Sequence, residues 1–81
     1  MSKIEKLIAK ARANPGTLKF SELVKIADHF GYEQVRQSGS HRIFSKGYGF
    51  RRFNFQDFNG KAKIVQVKEF TGYLKEMGWI K

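Results

Sequence analysis

The chain contains no cysteine. That excludes disulfides, thiolate metal sites and cysteine nucleophiles. Its two histidines, with no carboxylate cluster beside them, make a poor metal site, and no metal or other cofactor is expected. No apolar run is long enough to span a membrane and no signal peptide is visible, so the expectation is a cytoplasmic protein without a membrane partner. Repeats, low-complexity tracts and linkers long enough to divide the chain are missing too. Acidic residues are scarce: seven Asp and Glu stand against sixteen Lys and Arg, a net charge of +9.

The 81 residues are expected to form one domain, 1–81, monomeric when free. Short chains bury a small share of their surface. Eight Phe, three Tyr and one Trp compensate, because each large ring removes much area from water. The charge is uneven. Between Gln34 and Lys63 lie Arg36, Arg42, Lys46, Arg51, Arg52, Lys61 and Lys63 against Asp57 alone. A cationic stretch interleaved with Tyr and Phe suits a polyanion, most simply nucleic acid. An acidic protein partner is the alternative the same charge allows.

Hydrophobic periodicity changes along the chain. Ile4, Leu7, Ile8 and Ala11 recur at helical spacing after a capping Ser2, and Asn14-Pro15-Gly16 stops that first helix at Ala13. It either packs on the domain or projects from it, and residues 1–16 are read as a helical extension to a core of 17–81. A second helix is predicted from a Ser21 cap, with the stripe Phe20, Leu23, Val24, Ala27 and Phe30, ending at Gly31. His29 falls in its last turn, where a cation favours the helix dipole.

The period then becomes strand-like. Tyr32–Gln37 and His41–Ser45 flank a turn at Gly39, and Lys46-Gly47-Tyr48-Gly49 is the next turn. In Arg51–Asp57, Phe53 and Phe55 alternate with Arg52, Asn54 and Gln56. Asn59-Gly60 signals another turn. A last helix is predicted from about Val65 to Met77, with Val67, Phe70, Leu74 and Met77 inward and Gly78 terminating it. The fold class is therefore α+β: an extra N-terminal helix, then α-β-β-β-α, with a three-stranded antiparallel sheet covered by helices on one face. Phe53, Phe55, Phe70 and Leu74 are assigned to the core. The other sheet face is left open.

His41 opens a strand directly after Gly39 and Ser40. It shares one strand face with Ile43 and Ser45, while Arg42 and Phe44 share the other. The residues leave open whether it has a chemical role or only bonds a loop carbonyl.

The stretch GYEQVRQSGSHRIFSKG resembles the signature of the HicA-type mRNA interferase toxins of bacterial toxin–antitoxin pairs. NPGTLKFSELVKIADHFGYE is similar to the N-terminal half of the longer members, and FNFQDFNGKAKIVQVKEF to their C-terminal half. The resemblance implies a double-stranded-RNA-binding-domain type of fold. It also implies metal-independent cleavage of RNA (mRNA) by the histidine of Gly-Ser-His, here His41, and a HicB-type antitoxin that covers the site. The chain departs from the pattern at Lys46-Gly47-Tyr48-Gly49, where many members carry a His-Pro or Pro-rich strand, and at Ile64-Val65, where a proline is common.

RNA carries its own nucleophile, the 2′-OH. A ribonuclease needs only to move protons and stabilise charge on the phosphorane, and imidazole suits the proton transfers near neutral pH. Arg36, Arg42, Arg51, Arg52 and Lys46 are the candidate phosphate ligands, with the backbone N–H groups around Gly39 and Ser40 beside them. Without catalysis the same surface would serve an RNA-binding module that reads shape and phosphate.

Overall fold

The computed structural model describes residues 2–81. Helix α1, Lys3–Ala13, starts at a capping box: Ser2 Oγ accepts from the Glu5 N–H at 3.2 Å, and the Ser2 N–H donates to the Glu5 carboxylate at 3.4 Å. The helix packs on the rest of the domain. Ala11 is buried, Lys10 Nζ meets Glu22 Oε1 at 2.9 Å, and the Arg12 guanidinium donates to the carbonyl of Lys81. A single 3₁₀ turn, Pro15–Thr17, leads out of it.

Helix α2 covers Phe20–His29 and begins one residue before the expected Ser21 cap. Lys19 is its N-cap, and the orphan N–H of Lys19 is satisfied by the Glu22 carboxylate at 2.9 Å. Its buried stripe is Phe20, Leu23, Ile26 and Ala27. Ile26 replaces Val24 and Phe30, which are only half-buried, so the inner face is rotated from the predicted stripe. His29 is exposed in the last turn.

Four strands follow rather than three: β1 Glu33–Ser38, β2 His41–Ser45, β3 Phe53–Phe58 and β4 Lys61–Ala62, in the order β1-β2-β3-β4, all antiparallel. The fourth is two residues long, too short for a periodicity to reveal. The Asn59-Gly60 turn creates it. Both residues have positive φ (52° and 83°), as a two-residue hairpin turn requires. The Asp57 carboxylate accepts the Gly60 N–H at 2.8 Å. β4 and the turn before it are covered in turn by the chain entering α2: Phe20 N–H donates to Gly60 O at 2.9 Å, Ala62 N–H donates to Leu18 O at 3.0 Å, and Lys19 forms a β-bridge with Lys61. One sheet edge is thus sealed, while β1 remains an open edge with every residue exposed.

Helix α3 spans Ile64–Glu76 from an N-cap at Lys63. Val67, Phe70, Thr71 and Leu74 are buried, but Met77 is 40% exposed and does not belong to the inner face as predicted. Gly78, at φ 77°, closes the helix, and the Trp79 N–H returns to Leu74 O at 3.0 Å.

The core lies between the helices and one sheet face. Phe44, Phe53 and Phe55 point into it, and Phe70 meets Phe53 and Phe55 edge-on at 5.0 and 5.2 Å. Tyr32 precedes the first strand rather than opening it. It is buried, and its hydroxyl donates to the carbonyl of Arg51 at 2.9 Å. Burial pushes its phenol up to about 12.

Candidate active site

Strand pairing decides which side chains share a face, because directly paired residues point the same way. Gln37, Arg42 and Phe55 are in register, as are Gln34, Phe44 and Phe53. That is the helix side. On the opposite, open side, Ser38, His41 and Gln56 are in register, followed by Arg36, Ile43 and Asn54. β1 bulges between Gln34 and Arg36, which turns Arg36 to the same side as His41.

His41 is exposed at the start of β2. Its Nδ1 lies 3.3 Å from Asn54 Oδ1 on β3. The strand partner of His41 is Gln56, whose backbone N–H donates to the Gln66 side chain of α3 at 2.7 Å. The imidazole therefore sits on a platform anchored from behind by α3. Gly39, at φ 61°, makes the two-residue turn into β2, and nothing lies within 4 Å of where its Cβ would be. The backbone at Gly39 and Ser40 is thus open to a close approach from solvent. The turn is tied to β3 by the Asp57 N–H, which donates to Ser40 O at 3.1 Å.

The candidate cations separate into two groups. Arg36 lies on the His41 face, and Arg52 is exposed just before β3. Neither forms an ion pair among the described residues. Arg42, Lys46 and Arg51 are engaged elsewhere. Arg42 lies on the helix side, its guanidinium carbon 4.9 Å from the centre of the Phe20 ring. Lys46 Nζ donates to the carbonyl of Phe30 at 2.6 Å and lies over the rings of Phe50 and Trp79. Phe30 is the C-cap of α2, so Lys46 places a cation on the negative end of that helix. Arg51 covers Phe53 at 4.9 Å and meets Glu69 at 3.4 Å, both of that pair being half-exposed. Adjacent sequence positions in a strand point to opposite faces, which is why Arg42 parts from its neighbour His41.

Strand alternation places Asn54 on the polar face, but its contact with His41 depends on cross-strand register, which alternation within one strand does not supply. Among the described residues no three His, Cys, Asp or Glu side chains group as a metal site would require. No helix among them is long and apolar enough to cross a membrane. The larger grooves lie away from His41, one of about 600 Å³ running between α1 and α2 along Ile4, Leu7, Glu22, Lys25 and His29. A strand of nucleic acid laid across an open sheet face needs no such cavity.

The chemistry available on the open face is a solvent-facing imidazole with an amide partner, a permissive Gly-Ser turn, and cations at its margin. The family model described as HicA toxin of bacterial toxin-antitoxin matches residues 20–79. No curated protein and no solved structure matches the chain.

Proposed function

The chain belongs to the HicA toxin family of bacterial toxin–antitoxin systems, and on that premise we propose that it is an endoribonuclease that cleaves mRNA without a metal, using His41 as its one catalytic side chain. Toxins of this family are of the ribonuclease type and are paired with an antitoxin. The observation that carries the reading is the exposure of His41 on the open face, directly after the Gly39-Ser40 turn and beside Arg36.

The reaction follows from RNA's own structure. An imidazole nitrogen takes the proton of the 2′-OH as the 2′-oxygen attacks phosphorus. The bond from phosphorus to the 5′-oxygen then breaks, and the same proton goes to that oxygen. The products are a 2′,3′-cyclic phosphate and a 5′-OH. Positioned proton transfer of this kind supplies about 10²–10⁴-fold. Arg36 and Arg52, with the N–H groups at Gly39 and Ser40, are the phosphate ligands in this reading. Arg42, Lys46 and Arg51 support the fold around them. With a single histidine the enzyme is expected to be slow.

The helix and strand order after α1, with a short fourth strand added, supports a double-stranded-RNA-binding-domain type of core over residues 17–81, with 1–16 as an extension whose helix α1 packs on it. The partner is taken to be a HicB-type antitoxin that covers the His41 face, and the site of action the cytoplasm. RNA cleavage by the purified protein in EDTA, beside His41→Ala, tests the proposal. The variant should bind RNA and leave it intact while the parent cuts. A parent that binds RNA without cutting would instead be an RNA-binding module, and equal cleavage by both would remove His41 from the mechanism.

A further inference from the structure

A single imidazole that must first take a proton and then return it needs one nitrogen basic and directed at the substrate. We propose that Asn54 is the positioning residue that secures this: its side-chain oxygen accepts the Nδ1 proton of His41, holding the neutral ring in the Nδ1–H tautomer with Nε2 as the basic nitrogen. The catalytic meaning of this contact rests on the ribonuclease reading above; the tautomer itself does not.

The geometry is specific to the pair. Asn54 is the diagonal neighbour of His41 across β2 and β3, the directly opposed pairs being His41–Gln56 and Ile43–Asn54. Diagonal side chains on one sheet face lie about 7–8 Å apart at their bases, which two side chains reaching toward each other can bridge. They do so at Nδ1···Oδ1 3.3 Å. An amide oxygen can only accept, so the proton of this bond belongs to Nδ1. Nε2 is then the unprotonated nitrogen of the neutral ring, and it performs both transfers of the proposed reaction.

Asn54 is also well held. Its sequence neighbours Phe53 and Phe55 are 3% and 0% exposed on the other face, and the Gln56 N–H is fixed by Gln66. The backbone that carries the amide is therefore anchored on both sides. The charged groups on the His41 face are Glu33 opposite Ser45 and Arg36 opposite Ile43 on β1, Lys61 opposite Phe58 on β4, and Arg52, which precedes β3 in the alternation of Asn54 and Gln56. β2 presents His41, Ile43 and Ser45 there, and β3 presents Asn54, Gln56 and Phe58. The group that orients the ring is thus a neutral amide, not a carboxylate. A carboxylate in its place would favour the imidazolium and withhold the base.

The test is ¹⁵N NMR of the His41 ring in the intact protein at a pH where the ring is neutral, with cleavage profiles of the parent, Asn54→Ala and Asn54→Asp. The parent should show a protonated Nδ1 and a free Nε2. Asn54→Ala should give a mixture of tautomers and lose cleavage by roughly tenfold or more in kcat, with KM for RNA unchanged. Asn54→Asp keeps the acceptor, so it should retain the tautomer and move the acid limb of the pH profile upward by about one unit. A protonated Nε2 in the parent, or an alanine variant with the parent's tautomer and kcat, overturns the proposal. Should the parent fail to cut RNA, the ribonuclease reading falls, and the tautomer populations alone still decide for or against the His41–Asn54 bond.

Discussion

The two faces of the sheet are built from the same strands, yet they obey different rules. The inner face carries Phe44, Phe53 and Phe55 against α2 and α3, each 3% exposed or less. The outer face carries His41, Asn54 and Arg36 in solvent. The inner face supplies stability and tolerates no loss of volume. The outer face contributes little to stability and is free to carry polar chemistry. Even the cations divide this way: Arg42 stacks on a core ring, while Arg36, in register with Ile43, stands on the His41 side.

Removing a ring from the inner face should disturb that division most. Phe70 touches Tyr32, Phe53 and Phe55 at once. Phe70→Ala should cost about 3–5 kcal/mol, a large part of the roughly 5–15 kcal/mol typical of a folded domain. Urea unfolding should show a lowered midpoint or no folded baseline. His41→Ala, on the exposed face, should leave that midpoint where it is, within about 0.5 kcal/mol.

A finer contrast lies between cations. Lys46→Ala removes the hydrogen bond to the Phe30 carbonyl and the contacts over Phe50 and Trp79. It should cost about 1–2 kcal/mol in thermal unfolding and hardly alter the salt dependence of RNA binding. Arg36→Ala should do the reverse, leaving stability unchanged and reducing the slope of log K against log salt by about 1.

pH probes the helix side. The Lys19 N–H bond, and then Lys10, hold the Glu22 carboxyl below its ordinary value. A lowered carboxyl gives stability that is present above the unfolded-state value and lost as pH falls through the folded one. Glu22→Gln should therefore flatten the acid limb of stability. Tyr32 behaves oppositely. Pushed up to about 12 by burial, it costs stability as pH rises from its ordinary value of 10.0 toward that point, and Tyr32→Phe should weaken the alkaline loss.

The smallest expected effect is a gain. Gly72 lies within α3, and a Cβ added there would meet nothing within 4 Å. Gly72→Ala should raise stability by up to about 1 kcal/mol without touching the open face.

Much of this organisation is legible in the residues. The alternation of Phe53 and Phe55 with Asn54 and Gln56 assigns the two faces of β3 without any structure, because successive strand residues must point opposite ways. The helix-stop signals at Asn14-Pro15-Gly16 and Gly31 are equally local. Local pattern fails where a distant or unexpected partner decides. The start of α2 moves to Phe20 because the side chain of Glu22, not Ser21, satisfies the first free N–H. β4 is held not only by its turn but by the distant segment Leu18–Phe20, through the Ala62 N–H bond to Leu18 O and the Phe20 N–H bond to Gly60 O just before the strand. Met77 leaves the core because the helix ends in a Gly78 turn before its side chain can reach inward.

The α+β class, the cationic middle of the chain and the place of His41 after its Gly-Ser turn are properties of the residues alone, since they depend on backbone preference and on the period of near neighbours. Three-dimensional packing was needed to bring Asn54 to His41, to set Arg36 on their face, and to commit Arg42 and Lys46 to Phe20 and the end of α2. Those outcomes turn on strand register and on which helix covers which face. Both are fixed by contacts between residues far apart in the chain, where no local pattern can reach.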